Sequence, residues 1–518
     1  MSEAHYKIAL KKGVDKEQIV DELTRDTTSD ASVDSNVIPD RQVQFVDERK
    51  SSKRIVEMAL TPEEVAKLRA DNRIGDIEHP FEWSDDFLDY EVNPRTSWAR
   101  DSTSTSRNNW GLLRHIEETN GWGTNHADTR NSTNFTGHLD GTGVDYVHQE
   151  GNIPRPDHEM LNDANGSSRL QTFQWNTLPN CSSAGTMYYT TTYDGSHASH
   201  CCGTAVGKDI GWATNATIYF HDVSRLGQSY WFDTIKEFHK AKTPDPVTGV
   251  KRPTVVSASW GYKSYFTSIT DIVFRGSSTG TTAKNSDYGI IGDSSDRFNC
   301  AIYSLQAEVE EMQDEGVIYC KSAGNQYQKL CYSTDIDYNN YITRSVSSGG
   351  ISAGSPNYYN RGAGNIGPDT IVVGNLDDDY YAPYAGVGSQ NGEYTAGSSD
   401  KGPRVDLWAA GTNIVSAGDS SSTDYYNNGG TSMSTPQIAG MACLLLQANP
   451  GMTPAQVRAW FQNNAKTGLM NQGSTNENDP ATFFGNNFGL MNGPNRIAYF
   501  PFSAHKPLTS TVSGNISF

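Results

Sequence analysis

Gly429-Gly430-Thr431-Ser432-Met433-Ser434-Thr435-Pro436, followed by QIAGMACLLLQA, is the stretch that decides the reading of this chain. A proline just inside a helix start, with an apolar run after it, describes a turn feeding a buried helix. A serine held there sits where backbone N–H groups and the helix dipole favour negative charge. That suits a nucleophile whose attack creates an oxyanion. The preceding glycines allow the close backbone approach that a substrate carbonyl needs. The plain reading is an inert serine in a helix cap.

Working outward, Gly195-Ser196-His197-Ala198-Ser199-His200-Cys201-Cys202-Gly203-Thr204 offers an imidazole base among small residues. A rival reading is a metal cluster at His197, His200, Cys201 and Cys202, although adjacent cysteines lack the spacing of structural zinc sites. The bland reading of the cysteine pair is small apolar packing. Tyr319-Cys320-Lys321-Ser322-Ala323-Gly324-Asn325 follows an apolar strand, and Val256-Ser257-Ala258-Ser259-Trp260-Gly261 closes another. Ala-Gly-Asn alone is most often a plain turn, and the second segment alone is a core strand ending in a tryptophan.

GTSMSTP closely resembles the GTSM-[AS]-[TS]-P nucleophile motif of the subtilase family, and GSHASHCCGT resembles its HGTHVAGT motif. On that register Ser432 is the nucleophile, His197 the general base and His200 a packing residue. The resemblance makes Asn325 a donor to the oxyanion. It also makes Ser259, Trp260 and Gly261, with Ser322, Ala323 and Gly324, the substrate-binding segments, the former pairing with an extended peptide by strand addition. Trp260 is then expected to wall the pocket for the residue preceding the scissile bond.

The acid departs from the family pattern. Gly141-Thr142-Gly143-Val144-Asp145-Tyr146-Val147-His148-Gln149-Glu150-Gly151-Asn152 puts Glu150 where subtilases carry aspartate, with Pro154–Leu161 (PRPDHEML) following in family manner. Asp145 lies roughly 16 Å earlier along an extended strand and on the opposite face. Glutamate has the right charge but one extra methylene, so its carboxylate must fold back or the strand must shift. A misplacement of about 1 Å can cost about 10²-fold.

Residues 1–82 read as a small domain of their own. YKIAL is a strand, VDKEQIVDEL an amphipathic helix, and further strands fall near Val43–Val46 and Ile55–Leu60. Thr61-Pro62-Glu63-Glu64 is a strong helix start, running to about Asp71 before a closing strand at Ile74–Ile77. The order is βαββαβ. YKIALKKGVD, TPEEVAKLRAD and RIGDIE are similar to the inhibitor-type propeptide of subtilases. That likeness implies a partner in cis whose segment after Glu78 lies in the active site, with any cleavage between Glu78 and Trp110.

The polar stretch 83–109 is a linker, 110–504 the peptidase domain, opening with NWGLLRHI, and 505–518 a polar tail. In the peptidase domain VDYVHQ, ATIYF, TVVSASW, GVIYC and TIVVG read as buried parallel strands between helices. The expected class is α/β, a three-layer subtilisin-like sandwich on a mainly parallel sheet. Insertions around 262–299 and 327–367 are expected to be extra surface loops.

The 518 residues carry a formal charge of −19, which argues against a nucleic-acid partner. No apolar run suits a signal peptide or a membrane span, so the expected setting is cytoplasmic at synthesis. Seven cysteines, an odd number, fit free thiols in a reducing compartment; the Asn131-Ser-Thr sequon is then a chance match. The missing export segment and the QEGN departure are similar to subtilases carried by large phages and viruses, which implies a virion-associated setting and leaves a larger assembly open. No cofactor is required. The resemblance allows structural calcium, but no segment shows a loop to assign to it.

The resulting expectation is a serine endopeptidase acting on proteins or peptides through an acyl-enzyme. Two alternatives stand beside it. One is a catalytically weak or silent structural protein with an uncut prodomain. The other is a metallohydrolase at His197, His200 and Cys201.

Overall fold

A computed structural model describes residues 3–24, 43–78, 110–116, 118, 139–163, 165–184, 195–292, 295–347, 351–377, 393–485 and 489–500. The linker, the interval after Glu78 in which cleavage is expected, the Asn131 sequon and the C-terminal tail lie outside the described residues.

The first domain runs β1 (Ala4–Leu10), α1 (Lys16–Thr24), β2 (Gln44–Asp47), β3 (Ile55–Leu60), α2 (Pro62–Leu68) and β4 (Ile74–Glu78). Its antiparallel sheet has the order β2-β3-β1-β4. The expected helix start is a capping box. Glu64 N–H donates to Thr61 Oγ1 at 3.4 Å, and Thr61 N–H donates to Glu64 Oε2 at 2.7 Å.

The larger domain begins at α3 (Gly111–Arg114), which Arg114 ties down through two 2.6 Å bonds to Glu393. Then come β5 (Asp145–Glu150), α4 (Ser196–Val206), β6 (Thr217–Asp222), α5 (Asp233–Lys240) and β7 (Thr254–Ala258). After β8 (Lys263–Tyr265), β9 (Ile269–Phe274), β10 (Ser277–Ser278) and β11 (Arg297–Asn299), the sheet resumes with α6 (Tyr303–Asp314) and β12 (Ile318–Ser322). The chain continues through β13 (Tyr341–Arg344), β14 (Asn357–Tyr358), β15 (Ile371–Leu376), β16 (Leu407–Ala410), β17 (Ile414–Ala417) and β18 (Tyr425–Asn428). It closes with α7 (Thr431–Ala448), α8 (Pro454–Asn464), β19 (Lys466–Thr467), α9 (Pro480–Gly485) and β20 (Arg496–Ile497).

The central sheet has eight strands in the order β19-β20-β16-β15-β12-β7-β5-β6, parallel except for β19. The order reverses beside β5: β6 lies on one side and β7 on the other. In open parallel sheets ligands bind outside the carboxyl ends of the strands at such a switch point. The β5 and β7 ends are therefore where a site belongs, and α7, buried from Thr431 to Leu446, passes beneath them.

The insertions are not loose surface loops. β8 and β11 pair as a ribbon, and β10-β9-β13-β14 form a separate antiparallel sheet. Ile272 and Ile342 of that sheet, Phe298 of the ribbon and Tyr359 are buried and continuous with the main hydrophobic core. The pairing partners lie some seventy residues apart, as in Ile272 with Ile342, so local composition does not reveal them.

The small domain packs on α5 and α6 through buried charge. Arg49 contacts Glu57 at 3.0 Å within its own domain, and Asp233 at 3.0 Å and Glu308 at 3.2 Å on the larger one. Lys236 of α5 reaches Asp233 and Glu311, both at 2.9 Å, while Ser52 Oγ donates to Glu311 at 3.1 Å. Glu78, the last residue of β4, accepts the Ser304 N–H at 3.0 Å in the first turn of α6, and the Ser304 hydroxyl as well.

Candidate active site

Glu150 ends β5 with its side chain 1% exposed. The strand keeps an unbroken parallel register with β6 from Asp145 to Glu150. The extra methylene is instead absorbed by folding back: Gly151 N–H lies 3.4 Å from Glu150 Oε1. The other carboxylate oxygen lies 3.5 Å from His197 Nδ1, on the second residue of α4. That is an ion-pair distance, longer than the 2.7–2.9 Å of a strong charge-assisted hydrogen bond. Asp145 is excluded as the acid, because it is paired at 2.7 Å with both Lys242 and Arg252 at the far end of the strand.

Ser432 is the second residue of α7, after Gly430 at φ +146, a conformation that favours glycine. Its hydroxyl donates to the Ser259 carbonyl at 3.3 Å. Cys201, one turn after His197 on α4, sets its sulfur 3.9 and 3.8 Å from the two ring nitrogens. The same sulfur lies 3.3 Å from the Ser432 carbonyl oxygen. Base and nucleophile thus flank one buried thiol.

Asn325 follows the end of β12 and is fully buried. Its Oδ1 accepts from Thr431 N–H at 3.1 Å and Thr431 Oγ1 at 3.0 Å. Those two bonds fix the amide orientation. The Nδ2 end lies 3.4 Å from the point where a side chain on Gly430 would begin, ordinary van der Waals contact, so it is the φ of +146 that favours glycine there.

The other substrate-binding expectations are revised. Trp260 turns into the core, edge-to-face with Trp231 at 5.0 Å and stacked on Phe232, because a large ring among rings stays out of water. Beyond Gly261, Tyr262 N–H donates to Ala363 O at 2.9 Å, so the insertion takes that end of the edge. Ser322 pairs with Val373, and Ala323 N–H donates to Val373 O at 2.9 Å. Gly324, at φ +119, donates to Thr431 Oγ1 at 3.3 Å and accepts the Asp400 N–H at 2.7 Å. These three residues brace Asn325, since their backbone groups are already used within the fold. Ser259 directs its hydroxyl to the Ser432 carbonyl at 2.8 Å.

The surrounding histidines are neutral. Burial pushes His148 down to about 3, with the charge of His197 adding to it, and burial likewise takes His200 down to about 3. His200 bonds the Ile414 carbonyl at 2.9 Å and stacks edge-on against Tyr426, so it is a packing residue as expected and no partner to a metal at His197. Glu150, His197 and Cys201 do bring one ligand atom each within 4.8 Å of one another. Burial, with the Glu150 charge adding, pushes the Cys201 thiol well above its ordinary value. The partly buried acidic cluster of Asp335, Asp337 and Glu477 does not fit calcium, because Lys329 Nζ sits among them at 2.9, 2.9 and 3.2 Å. All seven cysteines are buried and form no disulfide.

Comparison with known proteins now bears on this geometry. The model of the subtilase family matches residues 123–486. The chain belongs to the subtilase family. It is 34% identical over 131 residues to the serine protease AprX of Bacillus subtilis, covering 20% of this chain and 28% of that protein. It is 26% identical over 238 residues to subtilisin-like protease 10 of Arthroderma otae, covering 42% and 55%. A cold adapted subtilisin-like serine proteinase aligns at 18% identity and TM-score 0.40, covering 76% of this chain and 98% of the other. This subtilase thus spans between a quarter and just over half of the length of these two curated relatives.

The structure brings Glu150 to His197, His197 to Cys201, Cys201 to Ser432, and Asn325 to Thr431 beside Ser432. Sequence reasoning did not find the contacts of Ser259 and Cys201 with Ser432, or the Thr431 bonds that orient Asn325. Thr431 lies inside the quoted motif, so its position was the available signal.

Proposed function

We propose that this subtilase is a serine endopeptidase that hydrolyses peptide bonds through an acyl-enzyme. Ser432 Oγ attacks the peptide carbonyl. His197 takes the hydroxyl proton and returns it to the leaving amine, and water then releases the acyl group by the same route. Glu150 orients His197 and stabilises the imidazolium across 3.5 Å. Asn325 Nδ2 and the Ser432 N–H hold the oxyanion. The observation that carries this reading is the meeting of β5, α4 and α7 at one buried cluster containing Glu150, His197 and Ser432.

The substrate is a protein or peptide, as befits the family. The small N-terminal domain acts as a partner in cis. Its buried ion pairs with α5 and α6, and the course of β4 into the first turn of α6 at Glu78, support that role. A second reading, a weak or silent protein, draws on the 3.5 Å acid–base separation, which leaves the imidazole less firmly held than a shorter bond would.

Intact mass and labelling by a fluorophosphonate, compared with Ser432→Ala, test the proposal. Labelling and self-processing present in the parent and absent from the variant support the peptidase. An unlabelled parent of full-length mass supports the silent form. Activity that survives Ser432→Ala but is lost to chelators overturns both.

A further inference from the structure

Pro436 follows Ser432 by four residues within α7. At that spacing an α-helix closes an N–H on the carbonyl of the earlier residue. Proline has no N–H, and its ring crowds that same carbonyl. The helix that carries the nucleophile therefore cannot secure the nucleophile's own peptide oxygen from position 436.

Two side chains from elsewhere in the fold meet this oxygen. Ser259 Oγ, just past β7, donates to it at 2.8 Å, and Cys201 Sγ of α4 does so at 3.3 Å. Both residues are buried, at 1% and 0% exposure, so water does not compete. Ser259 also acts in the other direction, its carbonyl accepting the Ser432 hydroxyl at 3.3 Å. Cys201 spaces the His197 ring from the same peptide.

We propose that Ser259 and Cys201 are positioning residues, a pair of donors that replace the missing Pro436 N–H and hold the Ser432 carbonyl, and with it the residue that carries the nucleophilic hydroxyl. The Ser259 hydroxyl is the stronger donor, since a thiol donates weakly. The elevated Cys201 thiol stays protonated, as a donor must. This rests on the reading of Ser432 as nucleophile.

The test is a mutant cycle read by peptide hydrolysis, fluorophosphonate labelling and thermal melting of the full chain. Ser259→Ala is expected to lower kcat about 10- to 100-fold with KM within about twofold, and Cys201→Ala about 3- to 10-fold, with Cys201→Ser restoring most of the loss. Pro436→Ala supplies the N–H that closes the helix, so in that background Ser259→Ala should cost no more than about threefold. An unchanged kcat in Ser259→Ala, or an equal loss in both backgrounds, overturns the proposal. If Ser259→Ala alone fails to fold, recovery of folding in the double variant supports the pair and continued failure overturns it. A parent that takes no label refutes the nucleophile reading instead. The melting temperatures then decide separately: Ser259→Ala and Pro436→Ala must be non-additive, and simple additivity refutes the pair.

Discussion

Replacing Glu150 by glutamine keeps the shape of the side chain and removes its charge. The carboxylate and the His197 ring are 1% and 6% exposed, so solvent screens their attraction little. At 3.5 Å and an effective dielectric constant of about 20, a carboxylate and an imidazolium attract by roughly 5 kcal/mol. On the proposed mechanism the imidazolium forms only as Ser432 attacks, so the loss falls on the transition state. Glu150→Gln should therefore lower kcat/KM by roughly a thousand- to five-thousandfold, chiefly through kcat. Closing the same pair to about 2.8 Å would add only about 1 kcal/mol, so on the proposed mechanism the long contact is expected to cost roughly five- to tenfold in rate. The assay is steady-state hydrolysis of a chromogenic peptide at one pH, with melting temperature confirming that the variant is folded. A loss smaller than about tenfold would show that the carboxylate does not act on the charged ring, and the argument would fail.

Asn325→Ala should reduce kcat by about 10²–10³-fold with KM little changed, measured in the same assay; a loss below about threefold would remove Asn325 from the oxyanion site. Arg49→Ala removes the cation shared by Asp233 and Glu308, leaving Asp233 with Lys236 at 2.9 Å and Glu308 with Lys7 at 3.7 Å, which should weaken attachment of the N-terminal domain by about 1–3 kcal/mol. Faster hydrogen exchange in β1 and α6 would report it, and unchanged exchange would contradict it. Burial pushes the Glu78 carboxyl up to about 7, with the charge of Asp76 adding and the Ser304 bonds and Lys7 opposing. A group raised on docking stabilises the docked form fully below its ordinary value of 4.5 and loses that contribution as pH rises to about 7. In a Ser432→Ala background, exchange protection of β4 should therefore fall between about pH 4.5 and 7, and Glu78→Gln should flatten the profile. An equally steep profile in that variant would assign the effect elsewhere.

Local chemistry made much of this protein readable in advance. Thr61, Pro62 and Glu64 announce a helix start because their partners lie three residues apart, and the observed capping box uses them as expected. Short apolar runs such as TVVSA and IYCKS are readable as buried parallel strands because both of their faces are covered. Glu150, His197, Asn325 and Ser432 are proposed from contiguous motifs, without knowledge of the contacts between them. The insertions were misread because their strands pair over some seventy residues, leaving each strand alone without an evident partner.

The amino-acid sequence by itself determined the family, the α/β class and the βαββαβ unit, since each rests on short-range periodicity or on contiguous residues. Only the tertiary structure decided how Glu150 reaches His197, that Trp260 faces the core, that Arg49 is buried against α5 and α6, and that Ser259 and Cys201 meet at the Ser432 carbonyl. Ser259 lies 173 residues from Ser432 and Cys201 lies 231 away. Contacts of that kind arise where the sheet brings strand ends and helix starts together, and no local pattern in the chain encodes them.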